Sequence, residues 1–166
     1  YVSCERVFNP KWIGTPLGVL SNNDGCIIAR SNELKDAGIK MGAPYFQCKD
    51  ALKKINATIV SSNYTLYGDM SSRIMYILSE LSPSIEIYSI DEAWLNLSSF
   101  SSLDIDAYGR KIVCKIKKNT GIPVSIGIGE TKTLAKIANR ICKKYKIPGS
   151  VFNIGNSEPK SLMEYI

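Results

Sequence analysis

The sequence predicts an α+β fold in which an antiparallel sheet carries helices on one face. Short apolar runs of strand length stand between amphipathic segments that have the helical period. Two strand-like runs, at 85–88 and 93–97, meet through a short polar turn and therefore indicate a central β-hairpin. No internal repeat or low-complexity tract interrupts this mixed pattern.

In the first part of the chain, short strands alternate with helices. The Gly14-Thr15-Pro16 break precedes the first apolar run, and the turn cluster at 21–25 separates that run from the second. Gly38 is a suitable stop for a helix that begins near Ser31, and Pro44 fits the first turn of the next helix. The predicted elements are helices at 1–8, 31–37 and 44–55 and strands at 17–20, 26–29 and 58–61.

The second part begins with a long helix for which Asp69 is the expected N-cap. The apolar face of this helix is expected to lie in the core and comprises Met70, Ile74, Ile77, Leu78 and Leu81. Thr131 or Thr133 is expected to cap a further helix that ends at Tyr145. The other predicted elements are a helix at 106–118, a buried strand at 123–128 and an extended segment from 151.

Two adjacent carboxylates, Asp91 and Glu92, lie near the tip of the predicted hairpin. Because like charges repel each other, a positive group is expected between them. The chain contains no histidine, which disfavours a soft transition metal, and paired carboxylates favour a hard cation such as Mg²⁺. This composition is typical of a phosphoryl-transfer site, although a solvated turn is the simpler interpretation of an Asp-Glu dipeptide.

The composition excludes several classes of protein. With 166 residues, 45% of them hydrophobic and 22% charged, the chain is long enough for one core, or for one domain and a smaller lobe. No apolar run reaches the length of a membrane span, and no signal-peptide pattern is recognisable, so no membrane partner is expected. The five cysteines are scattered, odd in number and never form Cys-x-x-Cys, which argues against disulfides or zinc and for a reducing cytoplasm.

The net charge of +6 is unevenly distributed. Residues 110–146 contain eleven Lys and Arg and one acid, Glu130, and so carry +10, whereas the remainder of the chain carries −4. A basic segment beside an acidic metal site indicates a polyanion whose phosphates also touch the metal. A solvated basic face explains the same charge run equally well.

The predicted helix after Thr131 separates its side chains by type. Its apolar stripe comprises Leu134, Ile137, Ala138 and Ile141, and its basic stripe comprises Lys136, Arg140 and Lys143 or Lys144. Such a basic stripe could follow a triphosphate or a DNA backbone, and the residues expected to bind DNA are Lys132, Lys136 and Arg140.

Two other features are weaker signals for phosphate binding. The Gly127-Ile128-Gly129 run lacks the Gly-Lys-Ser/Thr ending of a P-loop, so tight strand–helix packing explains these glycines better. Arg30 and Lys35 could each bind a phosphate, but solvation is the simpler interpretation of both.

Six motifs agree in order and spacing with one protein family. They are Tyr1-Val2-Ser3-Cys4-Glu5, Ser21-Asn22-Asn23-Asp24-Gly25-Cys26, Lys40-Met41-Gly42, Ser61-Ser62-Asn63-Tyr64, Tyr88-Ser89-Ile90-Asp91-Glu92-Ala93 and Thr131-Lys132-Thr133-Leu134-Ala135-Lys136. Together these motifs extend over nearly the whole chain and resemble the Y-family translesion DNA polymerases. The second and fourth resemble the UmuC branch of that family, the catalytic subunit of bacterial DNA polymerase V.

The resemblance implies template-directed nucleotidyl transfer in error-prone translesion synthesis, part of DNA repair and SOS mutagenesis, with two Mg²⁺ ions. It implies a small α/β fingers domain at 1–62, a palm domain at 63–152 and the start of a thumb at 153–166. Primer–template DNA and a dNTP are the implied substrates. A UmuD-like dimer, a recombinase filament and a sliding clamp are the implied partners, in the cytoplasm of a bacterium and associated with its nucleoid.

The resemblance also implies roles for individual residues. By position, Asp91 and Glu92 match two of three catalytic, metal-binding carboxylates, and Tyr1 matches the aromatic steric gate that excludes a 2′-hydroxyl. Lys35 and Lys143 match residues that bind the triphosphate. Cys26 and Ile28 match residues that cover the nascent base pair.

The chain departs from the family pattern at its start. In the family an Asp five residues before the steric gate supplies the third carboxylate, on a first palm strand that this chain lacks. The chain also begins at Tyr1 rather than methionine and stops inside an amphipathic pattern. We therefore expect a fragment with little or no polymerase activity, an expectation that nucleotide incorporation by residues 1–166 alone would refute.

Two other functions remain open at this point. A non-catalytic DNA-binding or assembly module with a palm fold would use residues 110–146 without any dependence on metal. Another palm-type nucleotidyl transferase, such as a cyclase, would use the basic helix for a nucleotide alone, but this leaves the fingers motifs unexplained.

Overall fold

The computed structural model describes residues 1–100 and 103–156, and the chain divides into two compact units, Tyr1–Met70 and Ser71–Ile166. The predicted α+β class is confirmed. The helices are α1 (Val2–Phe8), α2 (Asn32–Asp36), α3 (Tyr45–Lys54), α4 (Tyr64–Ser79), α5 (Ile105–Thr120) and α6 (Lys132–Lys144). The strands are β1 (Leu17–Leu20), β2 (Ile27–Arg30), β3 (Thr58–Val60), β4 (Ile85–Ile87), β5 (Ala93–Leu95), β6 (Ile126–Ile128) and β7 (Val151–Asn153). Short 3-10 helices lie at Pro10–Trp12, Pro148–Ser150 and Ile154–Asn156.

The first unit is built on a three-stranded sheet with the order β2-β1-β3. The central strand β1 pairs antiparallel with β2 and parallel with β3, and its Leu17 and Val19 side chains are fully buried. The Ser31 hydroxyl accepts the N–H of Leu34, which caps α2, and also the N–H of Leu17. The start of α2 is therefore tied to the central strand. The core of this unit comprises Leu20, Ile27, Leu34, Ile39 and Leu52.

The second unit contains the antiparallel pair β4–β5 and the parallel pair β6–β7. Asp104 caps α5 by accepting N–H groups of its first turn, and the helix ends at Gly121, whose φ of 74° is the left-handed conformation that glycine adopts without strain. Ile112 and Ile116 of α5 pack with Ile77 of α4 in the core of the unit. The predicted carboxylate hairpin and the predicted basic helix therefore belong to the same unit.

Some predicted element boundaries are wrong. The helix α4 begins at Tyr64 rather than after Asp69. The Oδ1 of Asn63 accepts the N–H of Leu66 at 3.0 Å and caps the helix about 1.7 turns earlier. The strand predicted at 123–128 is only Ile126–Ile128, since its partner β7 has three residues. The expected core face of α4 is confirmed: Met70 and Ile77 are buried. The other predicted members, Ile74, Leu78 and Leu81, are partly buried and pack against the core.

The structure also bears on the expectations about the cysteines and about membrane-spanning segments. All five cysteines are free thiols, and burial raises the pKa of the Cys4 and Cys142 thiols, as expected of core side chains. Within residues 1–100 and 103–156, no helix combines the length and the apolar character needed to cross a membrane. Most of the predicted start of the thumb, residues 157–166, lies outside the described residues.

Candidate active site

Asp91 and Glu92 lie in the turn of the β4–β5 hairpin, as the sequence predicts. The strand register is Ile85↔Leu95, Glu86↔Trp94 and Ile87↔Ala93, which leaves residues 88–92 as the connecting loop. The N–H groups of Tyr88 and Ser89 both donate to the Glu92 carbonyl oxygen at 3.0 Å and close this loop. The two carboxylates are therefore presented where two paired strands end, a common position for functional side chains.

The Asp91 side chain is exposed and is oriented by local contacts. The Ser89 hydroxyl donates to Asp91 Oδ1 at 2.8 Å, and the Asp91 N–H donates to Ser89 Oγ at 3.3 Å. In the part of the chain that the structure describes, no Lys or Arg forms an ion pair with Asp91. This carboxylate is consequently accessible to a cation from solution.

A positive group was expected between the two acids; within the described residues, it lies beside Glu92 and forms no ion pair with Asp91. The Nζ of Lys136 on α6 is 3.1 Å from Glu92 Oε2 and 5.0 Å from the centroid of the Tyr88 ring, a cation–π distance. The Lys136 side chain is 55% exposed and that of Glu92 is 34% exposed. An ion pair in such contact with water contributes only about 0.2–1 kcal/mol, so it can exchange partners readily.

A second ion pair links the same helix to the same hairpin. Lys132, in the first turn of α6, contacts Glu86 of β4. The start of α6 is fixed by Thr131, rather than Thr133, because the Thr131 hydroxyl accepts the N–H of Leu134 at 3.2 Å. Two of the three predicted DNA-binding residues therefore lie against the carboxylate hairpin.

The buried face of α6 differs in part from the predicted apolar stripe. Of the predicted apolar stripe, Ala138 and Ile141 are buried and Ile137 is 41% exposed, whereas Cys142, which is not part of the stripe, is buried. The physical reason is the approach of β6: a Cβ on Gly127 would lie 2.2 Å from the Ala135 carbonyl oxygen and 2.2 Å from the Asn139 nitrogen. The helix therefore turns its 135–139 side towards the strand. Tight strand–helix packing, the preferred explanation for this glycine run, is confirmed.

Arg140 and Lys143 continue the basic face of α6 beyond the hairpin. Both side chains are exposed, and Lys143 lies in the last turn of the helix. Seven residues separate Lys143 from Lys136, which corresponds to about 10 Å along the helix axis. The two ammonium groups can therefore contact different phosphates of one ligand.

In the first unit, Cys26 immediately precedes β2 and Ile28 is the second residue of that strand. The β1–β2 register shifts between Val19 and Leu20, so that Ile28 is the extra residue of a β-bulge. Cys26 forms an isolated bridge with Pro44, and both Cys26 and Ile28 are half-buried. Bulges redirect side chains and occur often beside active sites, which suits a residue that would face a base pair.

Lys35 also belongs to the first unit. It lies in the last turn of α2 and is exposed. The same helix is held at its other end by Arg6, whose guanidinium donates to Glu33 Oε2 at 2.7 Å. Burial opposes ionisation of Glu33, but hydrogen bonds from Arg6 and the backbone outweigh it and lower the pKa of that carboxyl. A short helix with a charged anchor thus presents the Lys35 side chain to solvent.

Tyr1 lies in a cluster of three tyrosine rings. Its ring stacks on Tyr67 with a centroid distance of 4.4 Å and an interplanar angle of 12°. The Tyr64 ring meets both rings edge-on, at 5.9 Å from Tyr1 and 6.1 Å from Tyr67. The Tyr67 hydroxyl donates to Glu5 Oε1 at 2.6 Å, and both side chains are buried.

Sequence reasoning missed Tyr67 and Glu5. The only available signals were the three-residue spacing of Tyr64 and Tyr67 and the position of Glu5 one helical turn after Tyr1. Neither spacing reveals which side chain the Glu5 carboxylate meets.

The donor set of the hairpin is compatible with a hard divalent cation. Among residues 1–100 and 103–156, no group of three or more His, Cys, Asp and Glu side chains is arranged to hold a metal ion. Asp91 and Glu92 nevertheless supply adjacent carboxylate oxygens, and Mg²⁺ commonly uses one or two carboxylates together with water and phosphate oxygens.

Comparison with known proteins identifies the family. Residues 1–140 match the impB/mucB/samB family. The chain belongs to this family, the Y-family polymerase domain that its motifs resemble.

Individual relatives agree with this assignment. The UmuC protein of Salmonella typhimurium is 48% identical over 147 residues, which cover 88% of this chain and 35% of that protein. The SamB protein of Salmonella typhimurium is 45% identical over 152 residues, which cover 91% and 36%. A solved insertion ternary complex of Dbh DNA polymerase superimposes with a TM-score of 0.82 at 28% identity and covers 99% of this chain and 48% of that chain. The chain therefore spans about a third of the length of the curated relatives it matches.

Proposed function

We propose that this chain supplies the fingers and palm of a template-directed DNA polymerase that acts in error-prone translesion synthesis, within DNA repair and SOS mutagenesis. The observation that carries the proposal is the pair of adjacent carboxylates in the β4–β5 turn, exposed Asp91 and half-buried Glu92, with the Lys136 ammonium 3.1 Å from Glu92. Family membership and the likeness to a ternary complex of Dbh DNA polymerase support primer–template DNA and a dNTP as substrates.

Mg²⁺ is the proposed cofactor, as two ions with Asp91 and Glu92 among their ligands. When bound, the metal would lower the pKa of the primer 3′-hydroxyl and neutralise charge on the triphosphate. The third carboxylate that the resemblance implies would lie five residues before Tyr1. The Ser89 hydroxyl, which donates to Asp91, orients one of the two proposed ligands.

Residues of α6 bind the polyanion in this proposal. If Glu92 held a cation, Lys136 would be released from it and its ammonium would contact a phosphate. Lys132 and Arg140 contact DNA phosphates on the same face of the helix. Lys143, about two turns further along, binds the triphosphate.

Residues of the first unit position the nucleotide. Lys35 holds the triphosphate from α2, and Tyr1 packs under the sugar and rejects a 2′-hydroxyl. Cys26 and Ile28, at the bulged start of β2, cover the nascent base pair. We assign residues 1–62 to the fingers, 63–152 to the palm and 153–166 to the start of the thumb.

The proposal extends to partners and location. A UmuD-like dimer, a recombinase filament and a sliding clamp are the proposed partners, on the strength of the similarity to UmuC. A polymerase with these partners would act in the bacterial cytoplasm, in association with the nucleoid.

One observation favours a second candidate function. Lys132, Lys136 and Arg140 are exposed on one face of α6, the arrangement through which a non-catalytic DNA-binding or assembly module with a palm fold would bind DNA. In that case the basic face of α6 would bind DNA with the same affinity in Mg²⁺ and in EDTA.

Primer extension distinguishes the two candidates. The chain, extended at both ends to the length of its relatives, is assayed with Mg²⁺ on undamaged and abasic templates. Replacing Asp91 with Ala should lower the extension rate by about a thousandfold or more, because metal ions contribute several kcal/mol to such a transition state. Glu80→Ala is the matched control, since Glu80 is an exposed carboxylate of the same unit that pairs with Lys115.

The fold of the variants must be checked in parallel. The only side-chain contact described for Asp91 is the one with Ser89 in its own loop, so Asp91→Ala should leave the unfolding temperature unchanged or raise it slightly by removing charge repulsion. Normal extension by Asp91→Ala would overturn the assignment of Asp91 as a catalytic metal ligand. No extension by the unsubstituted protein or by any variant, with DNA binding intact and independent of metal, would point to the binding module or to a polymerase that requires one of the proposed partners.

A further inference from the structure

The ring of Tyr1 stacks on Tyr67, whose own position is fixed by a hydrogen bond to Glu5. Tyr67 covers one face of the Tyr1 ring in a near-parallel stack, with 4.4 Å between centroids, and the edge of Tyr64 closes the cluster at 5.9 Å. Offset stacking and edge-to-face contacts are the favoured geometries of aromatic pairs. The Tyr1 ring therefore cannot tilt towards Tyr67 without breaking the stack.

A buried hydrogen bond holds the Tyr67 ring in place. Tyr67 is 2% exposed and Glu5 is 9% exposed, and the phenol donates to Glu5 Oε1 at 2.6 Å. Burial and the neighbouring carboxylate raise the pKa of Tyr67, so the phenol remains a neutral donor at physiological pH. Glu5 lies one turn after Tyr1 in α1, because the Glu5 N–H donates to the Tyr1 carbonyl oxygen at 3.1 Å. The bond thus joins the backbone that carries Tyr1 to the ring on which Tyr1 stacks.

We propose that Tyr67 and Glu5 are positioning residues that set the tilt of the Tyr1 ring and thereby the discrimination of the polymerase between deoxyribose and ribose. The inference rests on the proposed function, in which Tyr1 packs under the sugar of the incoming nucleotide. A steric test for one hydroxyl group depends on ring placement within a fraction of an ångström. A ring that is stacked on an anchored neighbour cannot move aside for a 2′-hydroxyl, whereas a ring without that neighbour can.

A purely structural role for the same residues makes a different prediction. If Tyr67 and Glu5 only filled and tied the core, their loss would lower stability and would reduce dNTP and rNTP incorporation by the same factor. A positioning role changes the ratio of the two rates, because only the ribonucleotide gains from a displaced ring. The ratio of kcat/KM values for dNTP and rNTP is therefore the decisive quantity.

The experiment uses the chain extended to the length of its relatives. It measures the ratio of the kcat/KM values for dNTP and rNTP opposite an undamaged template base. Tyr67→Leu removes the stack, Tyr67→Phe keeps the ring but removes the hydroxyl that reaches Glu5, and Glu5→Gln keeps the shape of the acceptor without its charge. Tyr108→Phe is the matched control, since Tyr108 also donates a 2.6 Å hydrogen bond, to the Leu81 carbonyl oxygen, and belongs to the other unit.

We expect Tyr67→Leu to lower sugar discrimination about tenfold or more, and Tyr67→Phe and Glu5→Gln to lower it roughly two- to fivefold, the range that a loosened steric contact produces. Tyr108→Phe should leave the ratio unchanged even if it lowers the unfolding temperature. An unchanged ratio in a folded Tyr67→Leu variant would overturn the proposal. If Tyr67→Leu does not fold, an unchanged ratio in Tyr67→Phe together with Glu5→Gln has the same consequence.

A Tyr1→Ala variant separates failure of this inference from failure of the proposed function. If Tyr1→Ala relaxes sugar discrimination and the Tyr67 variants do not, only the positioning role is wrong. If Tyr1→Ala leaves the ratio unchanged, or the unmodified protein incorporates no nucleotide, the gate or the polymerase assignment is wrong and the positioning role is overturned with it.

Discussion

Lys136 and Glu92 form an ion pair between the basic helix and the acidic hairpin, with Nζ and Oε2 3.1 Å apart. One partner belongs to the proposed metal site and the other to the proposed DNA-binding face. In the free protein each therefore neutralises the other, and in the proposed function a metal ion and a phosphate would separate them. Metal binding and DNA binding should consequently support each other.

Replacing Lys136 with Met should strengthen metal binding in the absence of DNA. An exposed ion pair contributes about 0.2–1 kcal/mol, so the affinity of the hairpin for Mg²⁺ or Mn²⁺ should rise roughly 1.5- to 5-fold when the competing ammonium is removed. Titration calorimetry of the extended protein measures this change. Lys115→Met, which breaks the exposed pair with Glu80 instead, is the control. Equal or weaker metal binding by Lys136→Met would show that the two cations do not compete.

Arg140 should contribute more to DNA affinity than Lys132. Arg140 is exposed and has no ion pair among residues 1–100 and 103–156, whereas Lys132 must first leave Glu86. Each phosphate contact contributes about 0.9 to the slope of log affinity against log salt concentration for duplex DNA. The slope should therefore fall by about this amount in Arg140→Ala and by distinctly less in Lys132→Ala. Fluorescence anisotropy at several salt concentrations tests this order, and equal slopes for the two variants would contradict it.

Gly127→Ala should destabilise the second unit severely. The added methyl group would meet backbone atoms of Ala135 and Asn139 at 2.2 Å, and backbone cannot rotate away as a side chain can. Separating β6 from α6 should cost several kcal/mol, of order 3 or more, as for other forced overpacking. Denaturant unfolding measures the loss. Gly68→Ala is the matched control, because a Cβ there meets nothing within 4 Å and helical alanine is favoured by about 0.5–1 kcal/mol. Similar stabilities of the two variants would refute the close contact.

Tyr67→Phe should destabilise the first unit by about 1.5–3 kcal/mol at neutral pH, because it removes a buried hydrogen bond to a carboxylate. The pKa of Tyr67 is raised above its ordinary value of 10.0 by burial and by Glu5. The stability that the neutral Tyr67 phenol contributes is fully present below pH 10. It is lost as the pH rises further, because the phenol ionises at a lower pH in the unfolded chain than in the folded one.

The difference in free energy of unfolding between the unsubstituted protein and Tyr67→Phe should therefore narrow above pH 10, by up to about 1.4 kcal/mol per pH unit. Urea unfolding between pH 7 and 11 provides the measurement. A constant difference across this range would mean that the phenol is not held neutral by its surroundings.

Local features of this fold could be predicted from the sequence. The carboxylate hairpin was predicted from two short apolar runs and the turn between them, and Thr131 was one of two predicted caps for α6. Both depend on residues within a few positions of one another. Asn63 was missed because Asp69 is an equally good capping residue, and only the packing of the extra turn decides between them.

Features that depend on distant contacts could not be predicted. The helical period of α6 indicates an apolar stripe but not the direction it faces, which is set by the approach of Gly127 and leaves Ile137 exposed. The hydrogen bond between Glu5 and Tyr67 joins residues that are 62 positions apart. In isolation, Glu5 resembles any acid in the first turn of a helix, where a carboxylate is favoured by the helix dipole.

The absence of any side chain between Gly127 and α6 has a consequence for the entropy of binding. Backbone packed on backbone leaves no layer of rotating side chains that could allow strand and helix to slide past each other. Lys136 and Arg140 thus project from a stiff support: when a phosphate binds, Lys136 exchanges its contact with Glu92 and Arg140 orders its own rotamer, while the helix backbone stays in place. Such a surface should show fast side-chain motion over a helix backbone that exchanges its amide protons slowly, before and after the ligand binds.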